Sequence, residues 1–302
     1  MTGARVAASV AMCVLMGSGC QDSPDELSAL IGSPTAVARE QRLEKALATH
    51  DTAVERGAPL AEWLLPHALQ EISGLVLTND GRLLVHDDEL GQVWEVDYRR
   101  GVLVKRFTIG SGVVKGDFEG ITIANDTVFL LASNGKLYRF PEGGNGAHVD
   151  YTVEDTGLKA ECEFEGIAFD PAINALLLAC KHVHDKALHD NLVIFRWSLT
   201  RDGSAHLAPL IVPLATIIGT NGWTGLHPSD ITIDPLTGNY VLVASAEKAL
   251  IAITPAGAVV LARPLSALHH QPEGVAIAKD GILIVSDEAG VRPALITLYR
   301  WP

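Results

Sequence analysis

Asp117-Phe118-Glu119-Gly120-Ile121-Thr122-Ile123 decides the fold, because the chain keeps returning to it. Glu163-Phe164-Glu165-Gly166-Ile167-Ala168-Phe169 stands 46 residues later, and Glu71-Ile72-Ser73-Gly74-Leu75-Val76-Leu77 stands 46 earlier. His227-Pro228-Ser229-Asp230-Ile231-Thr232-Ile233 and Gln271-Pro272-Glu273-Gly274-Val275-Ala276-Ile277 complete the series. Between third residues of successive copies the steps are 46, 46, 64 and 44. Self-similarity at a period of about 40–50 residues marks a stacked or closed repeat architecture.

Each copy opens on a short polar run and then alternates branched apolar with small residues, the period-two pattern of a strand. Asn79-Asp80-Gly81, Asp170-Pro171, Asp234-Pro235 with Thr237-Gly238, and Lys279-Asp280-Gly281 then signal turns in four of the five copies. Second strands follow at Leu83–Val85, Phe129–Leu131, Leu176–Leu178, Val241–Val243 and Ile282–Ile284. Third strands follow at Val93–Val96, Leu137–Phe140, Leu192–Phe195, Leu250–Ile253 and Leu295–Leu298. Three to four antiparallel strands per repeat make the blade of a β-propeller. The long step exceeds its neighbours by only 18 residues and predicts an insertion in blade 3. The fold is therefore expected to be all-β with five blades. A six-bladed ring is the alternative, and it requires a degenerate blade hidden in residues 21–70. The last repeat ends at its third strand, so Ala61-Glu62-Trp63-Leu64-Leu65 is expected to supply the outer strand of blade 5 and close the ring.

The N-terminal region has another character. One positive charge at Arg5, an apolar run from Val6 to Met16 and Gly17-Ser18-Gly19-Cys20 fit a secretory signal over residues 1–19. The run is too short to span a bilayer. Its end resembles the lipobox of bacterial lipoproteins, with Cys20 as the lipidated residue and Gly17 where that motif usually has Leu. The other outcome is ordinary cleavage that leaves Cys20 a free thiol. Gln21 after the cysteine implies an outer-membrane destination, or otherwise the periplasmic face of the membrane. Residues 20–60 read as anchor and tether with a short helix near Ala36–Ala48, and 61–302 as the propeller.

Lys and Arg number 23 against 36 Asp and Glu, giving a net charge of −13 on 302 residues. Nucleic acid is disfavoured as a partner, since phosphate neutralisation needs clustered cations. The acid is concentrated where the repeats align. In a propeller the first strands line the channel, so Glu71, Asp117, Glu163, His227 and Gln271 form one ring. Ser73, Glu119, Glu165, Ser229 and Glu273 form the next, with Asp230 beside it. Crowded carboxylates either hold protons or recruit a cation, and hard oxygen donors suit Ca²⁺, or Mg²⁺, rather than zinc. Equally, a carboxylate here can accept backbone N–H groups of the adjacent blade and staple the ring.

A second acidic set ends the second strands: Asp87, Asp88 and Glu89 after His86, and Asp287 and Glu288 after Ser286, with Glu247 in blade 4. Blade 3 carries Lys181 at the matching place, as a counter-ion or a contact for an anionic group. His182-Val183-His184 is a His-x-His pair on a loop without a cysteine partner, the pattern of an ordinary polar loop more than of a metal site. Cys162 and Cys180 flank the blade 3 hairpin near-symmetrically and are a candidate disulfide, two free thiols being the alternative. No nucleophile elbow, zinc-protease helix, phosphate loop, dinucleotide fingerprint or EF-hand loop is present.

Together Glu71–Leu75 with Asp87–Glu89, Asp117–Ile121, Glu163–Pro171 with Lys181, Pro228–Ile231, Pro272–Val275 and Ser286–Glu288 resemble the SdiA-regulated (YjiK-like, CarP-like) family of exported β-propellers. The resemblance spans residues 70–302. It implies a propeller at the cell envelope, linked in some members to calcium homeostasis, and no established reaction. That family usually carries Leu-Ser-Gly in its fourth unit, where this chain has Pro228-Ser229-Asp230. The functional expectation is a non-enzymatic envelope module, membrane-tethered and open to an envelope protein partner. It is expected to bind Ca²⁺ through Glu71, Asp117, Glu119, Glu163, Glu165, Asp230 and Glu273. The alternative is a metal-dependent hydrolase of a lactone or phosphate ester.

Overall fold

The computed structural model describes residues 32–49, 57–199, 206–219 and 221–302. The second strands of the blades read as unbroken apolar runs because each is sandwiched between two neighbours and buried on both faces. Leu83 and Val85 point into the seam between blades 5 and 1, while Leu84 points into the seam between blades 1 and 2. Leu177 and Ala179 face blade 4, and Leu176 and Leu178 face blade 2. Five apolar clusters result, one at each seam. Each fully buried Leu or Ile contributes about 1.5–3 kcal/mol relative to exposure.

Five sheets follow in the expected order, antiparallel throughout except that His148–Val149 adds a short parallel strand to the outer edge of blade 1. Their inner strands are Ile72–Leu77, Phe118–Ala124, Cys162–Asp170, Pro228–Ile233 and Pro272–Ile277. These contact one another in a closed ring, the fifth against the first. Ala61–Leu64 pairs antiparallel with Leu295–Arg300 as the outer strand of blade 5, so the ring closes with the N-terminal strand and five blades. The hairpin without a turn signal, in blade 2, turns on Asn125 and Asp126, both at positive φ (49° and 61°). Asn and Asp tolerate that region better than other non-glycine residues. The extra length of blade 3 goes into a long hairpin (Cys162–Asp170 with Ala175–Val183) and an excursion to blade 4 through a short helix at Ala215–Ile218.

The expected tether needs a correction within the described residues. Pro34–Ala48 is a helix, started by Ser33, whose Oγ accepts from the Ala36 N–H at 3.2 Å. It is docked on the propeller and not a free spacer. Leu43, 1% exposed, enters the seam between blades 5 and 1. Arg39 donates to the Gly101 carbonyl at 3.1 Å, and Arg300 donates to the Leu47 carbonyl at 2.8 Å, at the helix end where carbonyls lack partners. The signal segment and Cys20 lie outside the described residues.

Candidate functional site

Every inner strand breaks register near its start, and that of blade 3 does so twice, on either side of Phe164. The pairing skips Glu119 between Phe118 and Gly120, Glu165 between Phe164 and Gly166, Ser229 between Pro228 and Asp230, and Glu273 between Pro272 and Gly274. In blade 1 the skip covers Ser73 and Gly74. A β-bulge inserts a residue and re-aims its side chain. Here it turns Glu119, Glu165 and Glu273 into the channel mouth instead of the seams. The same registers place Asp88, Ser133, Lys181, Ser245 and Glu288 at equivalent positions on the second strands.

The two sets enclose a cavity of about 160 Å³. Its walls carry Glu71, Asp88, Glu119, Glu165, Glu273 and Glu288, with Lys181 as the cation, plus Ser73 and Gln271. Lys181 Nζ lies 2.5 Å from Glu165. Across the cavity, carboxylate oxygens of Glu71, Asp88 and Glu288 lie within 4.8 Å of one another, a spacing that a metal ion could bridge. Gln271 donates to Glu288.

The electrostatics follow from crowding in a half-buried space. Burial, then the charges of Glu165 and Asp117, push Glu119 up to about 9. Burial and Glu165 push Glu273 up to about 7. Burial, a hydrogen bond with Glu71 and the charge of Glu273 push Glu288 up to about 8, and burial beside Asp87 pushes Asp88 up to about 6. Glu165 is also raised, burial outweighing its bond to Lys181. Burial works against the Lys181 ammonium, but Glu165 and its neighbours raise it and keep it charged.

Several expected ligands lie elsewhere. Asp117 is exposed at the rim and accepts from Ser133 Oγ. Glu163 lies outside the cavity wall. Asp230 is the clearest correction. It occupies the place held by Gly74, Gly120, Gly166 and Gly274 in the other repeats, and it is fully buried. Its carboxylate accepts the Ile231 and Val275 backbone N–H groups, both at 2.8 Å, and that of Leu75, clasping the inner strands of blades 4, 5 and 1. Burial pushes its carboxyl well up, against the pull of those N–H donors.

The second acidic set divides by strand alternation. Asp88 and Glu288 enter the mouth, while Asp87 and Asp287 point inward as backbone acceptors. Asp87 receives Glu89 and Leu90 N–H at 3.0 and 2.8 Å. Asp287 receives His270 and Gln271 N–H and the buried His269 ring at 2.6 Å. Glu89 is exposed. His227 is held by Glu247 at 2.7 Å, and His184 bonds the Ala160 carbonyl, so the His-x-His loop gathers no further ligand. Cys162 and Cys180 are bonded, their Cα atoms 5.8 Å apart, across the blade 3 bulge and next to Lys181.

Fold and site thus define a five-bladed β-propeller with an acidic channel mouth. No family model matches the chain, and no curated protein sequence does. Solved structures do. Glutaminyl cyclase of Myxococcus xanthus is similar over 80% of this chain and 94% of that one, with TM-score 0.55 and 14% identity. A protein assigned as a gluconolactonase is similar over 78% of this chain and 76% of that one, with TM-score 0.50 and 13% identity. At such identities the likeness concerns the fold.

Proposed function

We propose that this protein is a non-enzymatic cell-envelope propeller that binds a divalent cation, Ca²⁺, at the acidic mouth and presents it to an envelope partner. The observation that carries the reading is the convergence of Glu71, Asp88 and Glu288 from two adjacent blades, with ligand atoms within 4.8 Å. Around them stand Glu119, Glu165 and Glu273, so one lysine faces six carboxylates. Ca²⁺ takes six to eight oxygens at about 2.3–2.6 Å and accepts irregular geometry, with water filling the remaining positions. Mg²⁺ demands a tighter octahedron and fits the spread of donors less well. The resemblance to the SdiA-regulated family, with its envelope setting and its link to calcium, belongs to this proposal.

Calorimetric titration of the purified protein with Ca²⁺ is expected to give one binding event, lost in Glu71→Gln/Glu288→Gln and kept in Glu163→Gln. Absence of both heat and thermal shift at millimolar Ca²⁺ would overturn the reading. The setting is tested separately by labelled palmitate in a bacterial host. Label in the membrane fraction that disappears in Cys20→Ser supports the anchor, and a soluble product with unmodified Cys20 removes it.

A second reading, a metal-dependent hydrolase of a lactone or phosphate ester, is favoured by one observation. Glu273, pushed up to about 7, sits in the same cavity as Lys181 and is suited to exchange a proton at neutral pH. Turnover of chromogenic lactones or esters that is abolished by EDTA and by Glu273→Gln would replace the first reading with this one.

A further inference from the structure

The opposite end of the channel holds a second, larger cavity of about 530 Å³, and it shares no wall residue with the acidic mouth. Its origin is the alternation below the bulges. Leu75, Ile121, Ile167 and Ile231, all 3% exposed or less, form its blind end just past the level of Asp230. The next residues, Val76, Thr122, Ala168, Thr232 and Ala276, line the lumen and are small, which keeps it open. Leu77, Ile123, Phe169, Ile233 and Ile277 widen it toward the rim.

We propose that this chamber is a binding site for an uncharged, mainly apolar small molecule carrying one or two hydroxyl or carbonyl groups. Its volume falls within the range of ligand pockets, about 300–1,000 Å³; its inner wall is apolar apart from Thr122 and Thr232, and its polar and charged groups gather at the rim. Each inner strand is the last in its sheet, so its free edge brings unpaired N–H and C=O groups to the lumen. Thr122 and Thr232 add hydroxyls. These groups can bond a ligand's hydroxyl or carbonyl but cannot neutralise a charge.

The rim supports the same choice. Arg99 is engaged by Glu44 of the docked helix and by Asp280, Asp80 is held by Arg82 at 2.9 Å, and Lys279 donates to the Asn79 carbonyl. Lys279 is the one rim cation without a carboxylate partner among the described residues, and it lies exposed, so a charged ligand would lose its hydration against the apolar inner wall with no counter-charge there. The proposal is independent of the cation reading, since the Asp230 clasp and the blind end separate the two spaces.

The test uses the uncharged dye N-phenylnaphthylamine with the purified protein. Wild type is expected to show one saturable site with enhanced, blue-shifted emission. Val76→Trp and Thr232→Trp, at half-buried positions lining the chamber, are expected to weaken it roughly tenfold or more at unchanged circular dichroism. Glu71→Gln/Glu288→Gln is expected to bind the dye as wild type does. No saturable signal in wild type, or wild-type affinity in both folded filled variants, overturns the proposal. A wild-type measurement covers the case in which neither variant folds. A small uncharged nitroxide should broaden the methyl signals of Ile121, Ile167 and Ile231, and broadening confined to the mouth overturns the proposal.

Discussion

The two ends of the channel are built from the same five strands, yet one is a crowded acidic cup and the other an apolar chamber. Only a few residues separate them along each strand. At the mouth a bulge adds one residue per blade and turns Glu119, Glu165 and Glu273 inward. Past the bulge the pleat resumes, successive residues turn toward the two flanking seams, and the inner edges of Val76, Thr122, Ala168, Thr232 and Ala276 help to line the chamber. Shifting register by one residue exchanges the faces of a strand. Five aligned bulges do this once around the ring, so a polar and an apolar compartment can share one axis.

The boundary between them is where the contrast can be broken most severely. Asp230→Ala removes an acceptor from the Ile231 and Val275 N–H groups, both deep in the ring. Leaving these buried N–H groups, with that of Leu75, without their acceptor predicts a loss of about 4 kcal/mol in urea unfolding. A loss under about 1 kcal/mol would show that the clasp is dispensable. Opening the disulfide beside Lys181, which closes a separation of 18 residues, is expected to cost about 3 kcal/mol in Cys162→Ser/Cys180→Ser. Gly166→Ala acts at the same level from the other side. A Cβ there would sit 2.8 Å from Asp230 Cα, so backbone must move, and about 2 kcal/mol of destabilisation is expected. Gly144→Ala, with open space around it, is the matched control.

pH sharpens the contrast more gently, through the raised carboxyls of the mouth. Glu273, Glu288 and Glu119, raised from 4.5 to about 7, 8 and 9, keep protons that the unfolded chain has already released. Above about pH 5 the native state therefore binds more protons than the unfolded one, and stability falls as pH rises toward about 9. Thermal midpoints of cation-free protein should decline across that window. The decline should flatten in Glu119→Gln/Glu273→Gln and be offset by added Ca²⁺. A midpoint that rises with pH in this window for wild type relative to that variant would contradict the assignment of crowded, protonated carboxyls. Filling the apolar chamber with Thr232→Trp should leave this pH profile in place.

Much of this was legible in one dimension. Repeats announce themselves because each blade needs the same periodic burial. Ala61–Leu65 could be assigned to blade 5 because the last repeat lacks an outer strand, and hairpin symmetry made Cys162 and Cys180 a candidate pair, although in the bulged register Cys162 faces Val183 and Cys180 faces Phe164. Lys181 stood out as a lone cation at an acidic position. The blade 2 turn escaped notice because Asn125-Asp126 achieves with two non-glycine residues what glycine does elsewhere. The docked helix read as a spacer because its few apolar anchors, Leu43 and Leu47, have partners in blades 1 and 5 that the local sequence does not reveal.

The sequence by itself determined the blades, their order and the acidic character of one set of ring positions, since these follow from local periodicity and composition; the choice of five blades over six was closed by the pairing of Ala61–Leu64 with blade 5. Which acids face the mouth was decided by the tertiary structure. Asp87 and Asp88 are neighbours in the chain, yet one accepts backbone N–H groups and the other enters the cavity, because strand pleating sends them to opposite sides. Asp230 looked like another ligand and is instead the clasp, because only in the closed ring do the N–H groups of Leu75 and Val275, far apart in sequence, reach one carboxylate. The apolar chamber is likewise invisible along the chain. Val76, Thr122, Ala168, Thr232 and Ala276 become a wall only when five strands are brought round a common axis.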